Sequence, residues 1–196
     1  MYFSWGNTGG HAEGSGYDFS QEVYDATPAA AITANLSLNQ DAARANLGKP
    51  WRMPTADEFQ ELFDNCTVVW TTMNGVAGRL FTSNVNGNTL FFPAAGYYAD
   101  SSLNYRGSLG FFWSSTYVSA TNAHDLFFDS SNVEPQGSGR RRYGFSVRAV
   151  AGPSLSTRAL PESNSDSVES EDSKELSEEN KLKDDSEKTL KVDETK

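Results

Sequence analysis

Phe111-Phe112-Trp113-Ser114-Ser115-Thr116 opens the stretch whose reading decides this chain. Ala123-His124-Asp125-Leu126-Phe127-Phe128-Asp129 and Ser130-Ser131-Asn132-Val133-Glu134-Pro135 follow. An Arg140-Arg141-Arg142 turn comes next, and Tyr143-Gly144-Phe145-Ser146-Val147-Arg148-Ala149-Val150 closes the stretch. Apolar side chains recur at alternate positions, Leu126 with Phe128 and Phe145 with Val147, which is the period of a half-buried strand. Between them lie tyrosine, histidine, arginine, aspartate and serine, side chains suited to partner contact. A rigid alternating frame that displays adaptable side chains predicts a binding surface. Its ligand-facing positions are read as Tyr117, Val118, Ser119, His124, Asp125, Phe127, Asp129, Ser138, Arg140, Arg142 and Tyr143.

Upstream of this stretch the period first belongs to helices and then to strands. Asp41-Ala42-Ala43-Arg44-Ala45-Asn46-Leu47-Gly48 reads as a short helix stopped by glycine, with Pro50 beyond it. Thr55-Ala56-Asp57-Glu58 is a capping box. Behind it Phe59, Leu62, Phe63 and Cys66 fall at i, i+3, i+4 and i+7, so a helix is expected over roughly Thr55 to Asn65. Thr67 to Thr72, Gly78 to Ser83 and Thr89 to Phe92 read as strands, with Asn74-Gly75 a turn and Asn86-Gly87 a two-residue hairpin signal. Tyr2 to Asp18 reads as a short strand running into a loop, and Asp100 to Gly110 as polar loop. Helices followed by antiparallel strands give an α+β expectation. Phe59, Leu62, Phe63, Trp113, Leu126, Phe128, Phe145 and Val147 are expected to share one core.

Composition divides the chain near its end. Residues 161–196 contain no aromatic side chain and carry 13 acidic against 6 basic groups, so seven of the ten net negative charges lie there. Such a segment cannot bury enough surface to offset its ordering entropy. Residues 1–152 are therefore read as the ligand-binding domain, and residues 153–196 as linker and disordered acidic tail. Glu179 with Lys183 and Glu187 with Lys191 have i,i+4 spacing suited to transient helix. The globular part is weakly acidic with a single lysine, Lys49, which argues against nonspecific nucleic-acid binding. Cys66 stands alone, so no internal disulfide forms, and the apolar stripe reads it as a core residue and not a nucleophile. No apolar run reaches membrane-spanning length, so no membrane insertion is expected, and Met1-Tyr2-Phe3 begins no signal peptide. Export by another segment, transport on a particle, and origin as a fragment of a longer chain all stay open.

Two motifs carry a family resemblance. Trp51-Arg52-Met53-Pro54-Thr55-Ala56-Asp57-Glu58-Phe59 resembles the W-R-[LM]-P-T-x-x-E-[FW] segment of bacterial C-type-lectin-like domains, among them formylglycine-generating-enzyme-like proteins and the Fibrobacter/Bacteroides major paralogous domain. Phe112-Trp113-Ser114-Ser115, Leu126-Phe127-Phe128, Ser130-Ser131, Val133 and Gly144-Phe145-Ser146-Val147-Arg148 resemble the ending of that second group, some of whose members are variable proteins of diversity-generating retroelements. The match spans roughly Tyr2 to Val150. The resemblance implies a C-type-lectin-like fold, with two helices packed on twisted antiparallel sheets and a ligand surface on the late loops and strands. In the diversified members, adenine-directed mutagenesis of asparagine codons cannot yield Lys, Glu, Gln, Met or Trp. Tyr117, Val118, Ser119, His124, Asp125, Phe127, Asp129, Gly137, Ser138, Arg142 and Tyr143 pass that filter, whereas Glu134 and Gln136 do not.

The resemblance implies a non-enzymatic receptor-binding domain on a phage tail or bacterial surface, at a virion or extracellular location. A non-diversified adhesin or carbohydrate-binding domain is the alternative. The expected partner is a protein or carbohydrate on a target cell surface, with homo-oligomerisation left open. Formylglycine-generating chemistry needs an active-site cysteine pair holding copper, and this chain has only Cys66. No catalytic arrangement is legible, so no enzyme activity is expected. Glu134-Pro135-Gln136 resembles the calcium-binding Glu-Pro-Asn triplet of animal C-type lectins, but Gln replaces Asn and the second triplet is missing. No metal and no cofactor is therefore expected. His124 reads as a contact or as a solvated surface histidine, since the only other histidine is His11. Trp113, Ser114 and Ser115 read as structural.

Overall fold

The structure, a computed structural model, describes residues 1–21 and 32–152. The expected disorder of the acidic tail falls outside the described residues. Helix α1 (Ala42–Leu47) begins where the Asp41 carboxylate accepts a hydrogen bond from the Arg44 amide, and stops at Gly48, whose φ of 71° suits glycine. Strand β1 (Trp51–Arg52) leads into α2 (Ala56–Asp64). The capping box forms as its sequence predicts, with the Glu58 amide donating to the Thr55 hydroxyl and the Thr55 amide to the Glu58 carboxylate. Cys66 lies just past this helix, on β2, where it packs half-buried against the core around Phe59.

The rest of the described chain is strand and turn. β2 (Cys66–Met73), β3 (Val76–Ser83) and β4 (Thr89–Pro93) form one antiparallel sheet, and β5 (Tyr97–Ala99) and β6 (Ser102–Asn104) form a hairpin. β7 (Gly110–Tyr117), β8 (Asn122–Phe128) and β9 (Val133–Arg140) form a third sheet, and β10 (Val150–Ala151) returns to pair with β1. Asn86-Gly87 lies inside a five-residue connection from Asn84 to Asn88 and not in a two-residue hairpin. The last segment, read as a strand from Tyr143, makes only isolated bridges before β10: Phe3 to Phe145, Tyr98 to Gly144 and Phe112 to Ser146.

This architecture corrects the fold expectation. The α+β, C-type-lectin-like arrangement of two helices packed on twisted sheets does not form. Among the described residues the protein is β-rich, with several small antiparallel sheets, two short α-helices and one 3-10 helix at Phe19–Gln21. The reason lies in the distribution of local signals. Helical periodicity is confined to residues 41–65, and beyond it turn residues interrupt period-two segments before any sheet can widen past three strands.

The central sheet β7-β8-β9 is buried on both faces, and so the single expected core is two. Phe112, Leu126 and Phe128 point to one side and pack with Phe59, Phe81 and Phe92 beneath α2, where Leu62 and Phe63 join them half-buried. Trp113 and Ala123 point to the other side and pack with Phe3, Trp5 and Phe145, with Val147 at the margin. The N-terminal segment holds that second layer in place. The Phe3 amide donates to the Phe145 carbonyl at 2.8 Å, the Trp5 amide to the Arg141 carbonyl at 2.8 Å, and the Trp113 indole to the Phe3 carbonyl at 2.7 Å. Gly110 has to be glycine here, because a Cβ at that position would lie 2.0 Å from the Phe128 ring.

Candidate ligand-binding surface

The side chains read as one ligand-facing surface divide into several groups. Asp125 is the clearest correction. Alternation does turn it away from Leu126, but the face it joins is also covered, and it is 1% exposed. Its carboxylate lies against Gly137 and Gly139 of β9, where added Cβ atoms would come within 2.7 Å of its oxygens. Burial pushes this carboxyl up to about 8; the Glu134 charge adds to the rise and the Gly139 amide opposes it. Asp125 therefore does not touch a ligand directly. Asp129 is also structural, since its carboxylate accepts the Ser131 and Asn132 amides at 2.6 and 2.7 Å and shapes the turn into β9. These two amides hold its pKa below the ordinary value.

Tyr117 belongs to a buried cation cluster. The Arg141 guanidinium lies 4.6 Å over the Trp5 ring and 6.0 Å from that of Tyr117, and it donates to the Ile32 and Ala120 carbonyls at 3.1 and 3.0 Å. Arg141 is thus a fold-holding residue inside what reads as a solvated turn. Ser119 carries the same loop, its hydroxyl accepting the Asn122 amide at 3.1 Å, while Val118 is exposed beside it. His124 and Ser138 face each other across β8 and β9, as do Asn122 and Arg140, giving a polar cross-strand patch. His124 Nδ1 lies 3.0 Å from the Gly137 carbonyl oxygen, so this nitrogen carries the proton.

Phe127, Arg142 and Tyr143 belong to a half-buried aromatic surface that the sequence reading only partly names. Phe127 packs on Phe111 at 5.0 Å between ring centres, Phe111 on Tyr97 at 5.0 Å, and Tyr97 on Tyr143 at 5.3 Å. Tyr105 stacks on Tyr97 at 6.1 Å with 61% of its surface exposed. The Arg142 guanidinium lies 5.7 Å from the Tyr143 ring and 4.0 Å from the Asp100 carboxylate. Burial raises the pKa of the Tyr97 phenol, and the neighbouring phenols of Tyr143 and Tyr105 raise it further. Tyr105 holds a φ of 56°, a conformation that bulky side chains rarely adopt.

Tyr97, Tyr105 and Phe111 were missed as contact residues. Tyr97, on β5, reads as the close of the strand run before it, Tyr105 falls just past β6 in the span from Asp100 to Gly110 that reads as polar loop, and Phe111 reads as an ordinary strand position. The structure pairs Tyr97 to Ala99 with Ser102 to Asn104 around Asp100, at φ 54°, and these three-residue strands are too short to show alternation in the sequence. Among the described residues no group of three or more His, Cys, Asp or Glu side chains is placed to hold a metal ion. No described helix is long and apolar enough to cross a membrane.

A family model described as a domain of unknown function (DUF8237) matches residues 70–150, which run from within β2 to the start of β10. No curated protein and no solved structure matches the chain.

Proposed function

We propose that the chain is a non-enzymatic ligand-binding domain whose contact surface is the aromatic cluster of Tyr97, Tyr105, Phe111, Phe127 and Tyr143, with Arg142 at its rim. The observation that carries this reading is Tyr105, an exposed ring held in a strained backbone conformation and stacked on a half-buried tyrosine. Strain of this kind persists only where surrounding structure over-determines it, and it concentrates at functional sites. Exposed aromatic surface with arginine at its edge supplies the large, rigid contacts that dominate recognition energy. The ligand class is a protein or carbohydrate of a target cell surface. Motif resemblance to retroelement variable proteins supports display on a phage tail or bacterial surface, with Phe127, Arg142 and Tyr143 as diversified positions.

Two measurements separate the layers of this reading. Tyr105→Ala removes a ring that the core does not need, so binding to target cells should fall at least tenfold with the melting temperature unchanged. Unaltered binding would reject the surface. Sequencing the neighbouring DNA tests diversification: a near-identical template repeat, with adenines where this gene varies and a reverse transcriptase beside it, is expected. Without that repeat, a non-diversified adhesin is the better description.

A further inference from the structure

A cleft lies between α1, the loop before it and the segment around β1. It measures about 640 Å³ and is walled by Leu36, Leu38, Pro50 and Met53, with Arg44 and Lys49 among its lining side chains. The loop wall is fixed in place, because the Leu36 amide donates to the Ser115 carbonyl and the Tyr117 amide to the Asn35 side chain, both at 2.9 Å. The other charged groups lining the cleft are already engaged. The Asp41 carboxylate accepts the Arg44 and Met53 amides at 3.0 and 2.7 Å, and the Arg52 guanidinium grips both Glu58 oxygens at 2.6 and 2.5 Å.

Arg44 is different. Its Nε and Nη1 are shut off from water, and among the described residues no group accepts a hydrogen bond from either. No carboxylate of the described chain lies within ion-pair distance of Arg44 or Lys49. Arg44 is half-buried, and a carboxylate entering the cleft would meet two lining cations, Arg44 and Lys49, that no described carboxylate neutralises, through charge-assisted hydrogen bonds. The apolar walls add the concave, mostly hydrophobic surroundings that small organic ligands occupy, and the volume is in their ordinary range.

We propose that this cleft binds a small organic carboxylate with an apolar body, its anionic end on Arg44 with Lys49 at the mouth and its body against Leu36, Leu38 and Met53. The full chain is titrated calorimetrically with octanoate, with octanol and inorganic phosphate as separate arms. Octanoate should bind, Arg44→Gln should weaken it tenfold or more, and octanol and phosphate should each bind at least tenfold more weakly than octanoate. Absence of octanoate binding, or equal binding to Arg44→Gln, overturns the proposal. Phosphate binding as tight as that of octanoate overturns it too, since the cleft would then be a bare anion site. Should Arg44→Gln fail to fold, Leu38→Ser at an exposed wall position decides. A severalfold loss of octanoate affinity is expected there, and an unchanged affinity rejects the assignment.

Discussion

Asp125 faces Trp113 on β7 and Gly137 on β9, in a layer that water does not reach, and its Oδ1 has no hydrogen-bond partner among the described residues. Its carboxyl titrates near 8 in the folded protein against 3.8 as the ordinary value. The folded pKa is the raised one, so stability from this group is fully present below about 3.8 and is lost as the pH climbs towards 8. Asp125→Asn keeps the shape and removes the titration. Urea denaturation at pH 5 and pH 9 should show the native protein losing on the order of 3 kcal/mol more than the variant between the two conditions. Equal losses would mean that the carboxylate finds a partner when ionised. At this scale alternation reads faces correctly on the strands, and Asp125 and Leu126 do point oppositely. It cannot say which face is wet. That depends on Phe3, Trp5 and Phe145, which arrive from the two ends of the domain to cover Asp125, Trp113 and Arg141.

The β1–α2 unit holds the C-terminal end of the described domain. Arg52 sits on β1, which pairs with β10, and its guanidinium bridges the Gly152 carbonyl at 2.6 Å and both oxygens of Glu58. Burial tends to raise the Glu58 carboxyl, but the Arg52 guanidinium and the Thr55 amide outweigh it and hold the group below its usual range. Arg52→Leu leaves the Glu58 charge without its partner in a partly closed site. A stability loss of about 3 kcal/mol is expected by chemical denaturation, and a loss under about 1 kcal/mol would show the pair to be effectively solvated. Thr55→Ala removes only the cap and should cost about 1 kcal/mol by the same measurement. Capping boxes, helix stops and the Asn74-Gly75 turn were legible because their chemistry is local. The β5–β6 hairpin was not, because its short strands carry no sustained alternation, and its pairing follows from residues with positive φ at Asp100 and Tyr105.

Over residues 1–152, one sheet separates two aromatic layers and leaves at its rim the half-buried aromatic cluster on which the proposed function rests. Phe128 is central to the layer under α2, packed on Phe112 and Trp70, and Phe128→Ala should cost about 3–5 kcal/mol by denaturant titration. The core residues were legible from their periods, but their division into two layers was not, since period two is satisfied equally by a strand buried on one side or on both. The same ambiguity places Phe127 and Tyr143 partly in packing, so alanine there removes fold stability together with contact. Tyr105 avoids this confusion because most of its ring is outside. The most direct test is therefore binding of the labelled chain to a panel of bacterial surfaces and glycans, comparing the native protein with Tyr105→Ala and with Val69→Ser on the exposed outer face of β2. Loss of binding in Tyr105→Ala alone, at an unchanged melting temperature, is the predicted result. Retention in Tyr105→Ala with loss in Val69→Ser would place the ligand on the β2–β3 sheet and contradict the aromatic surface as the site.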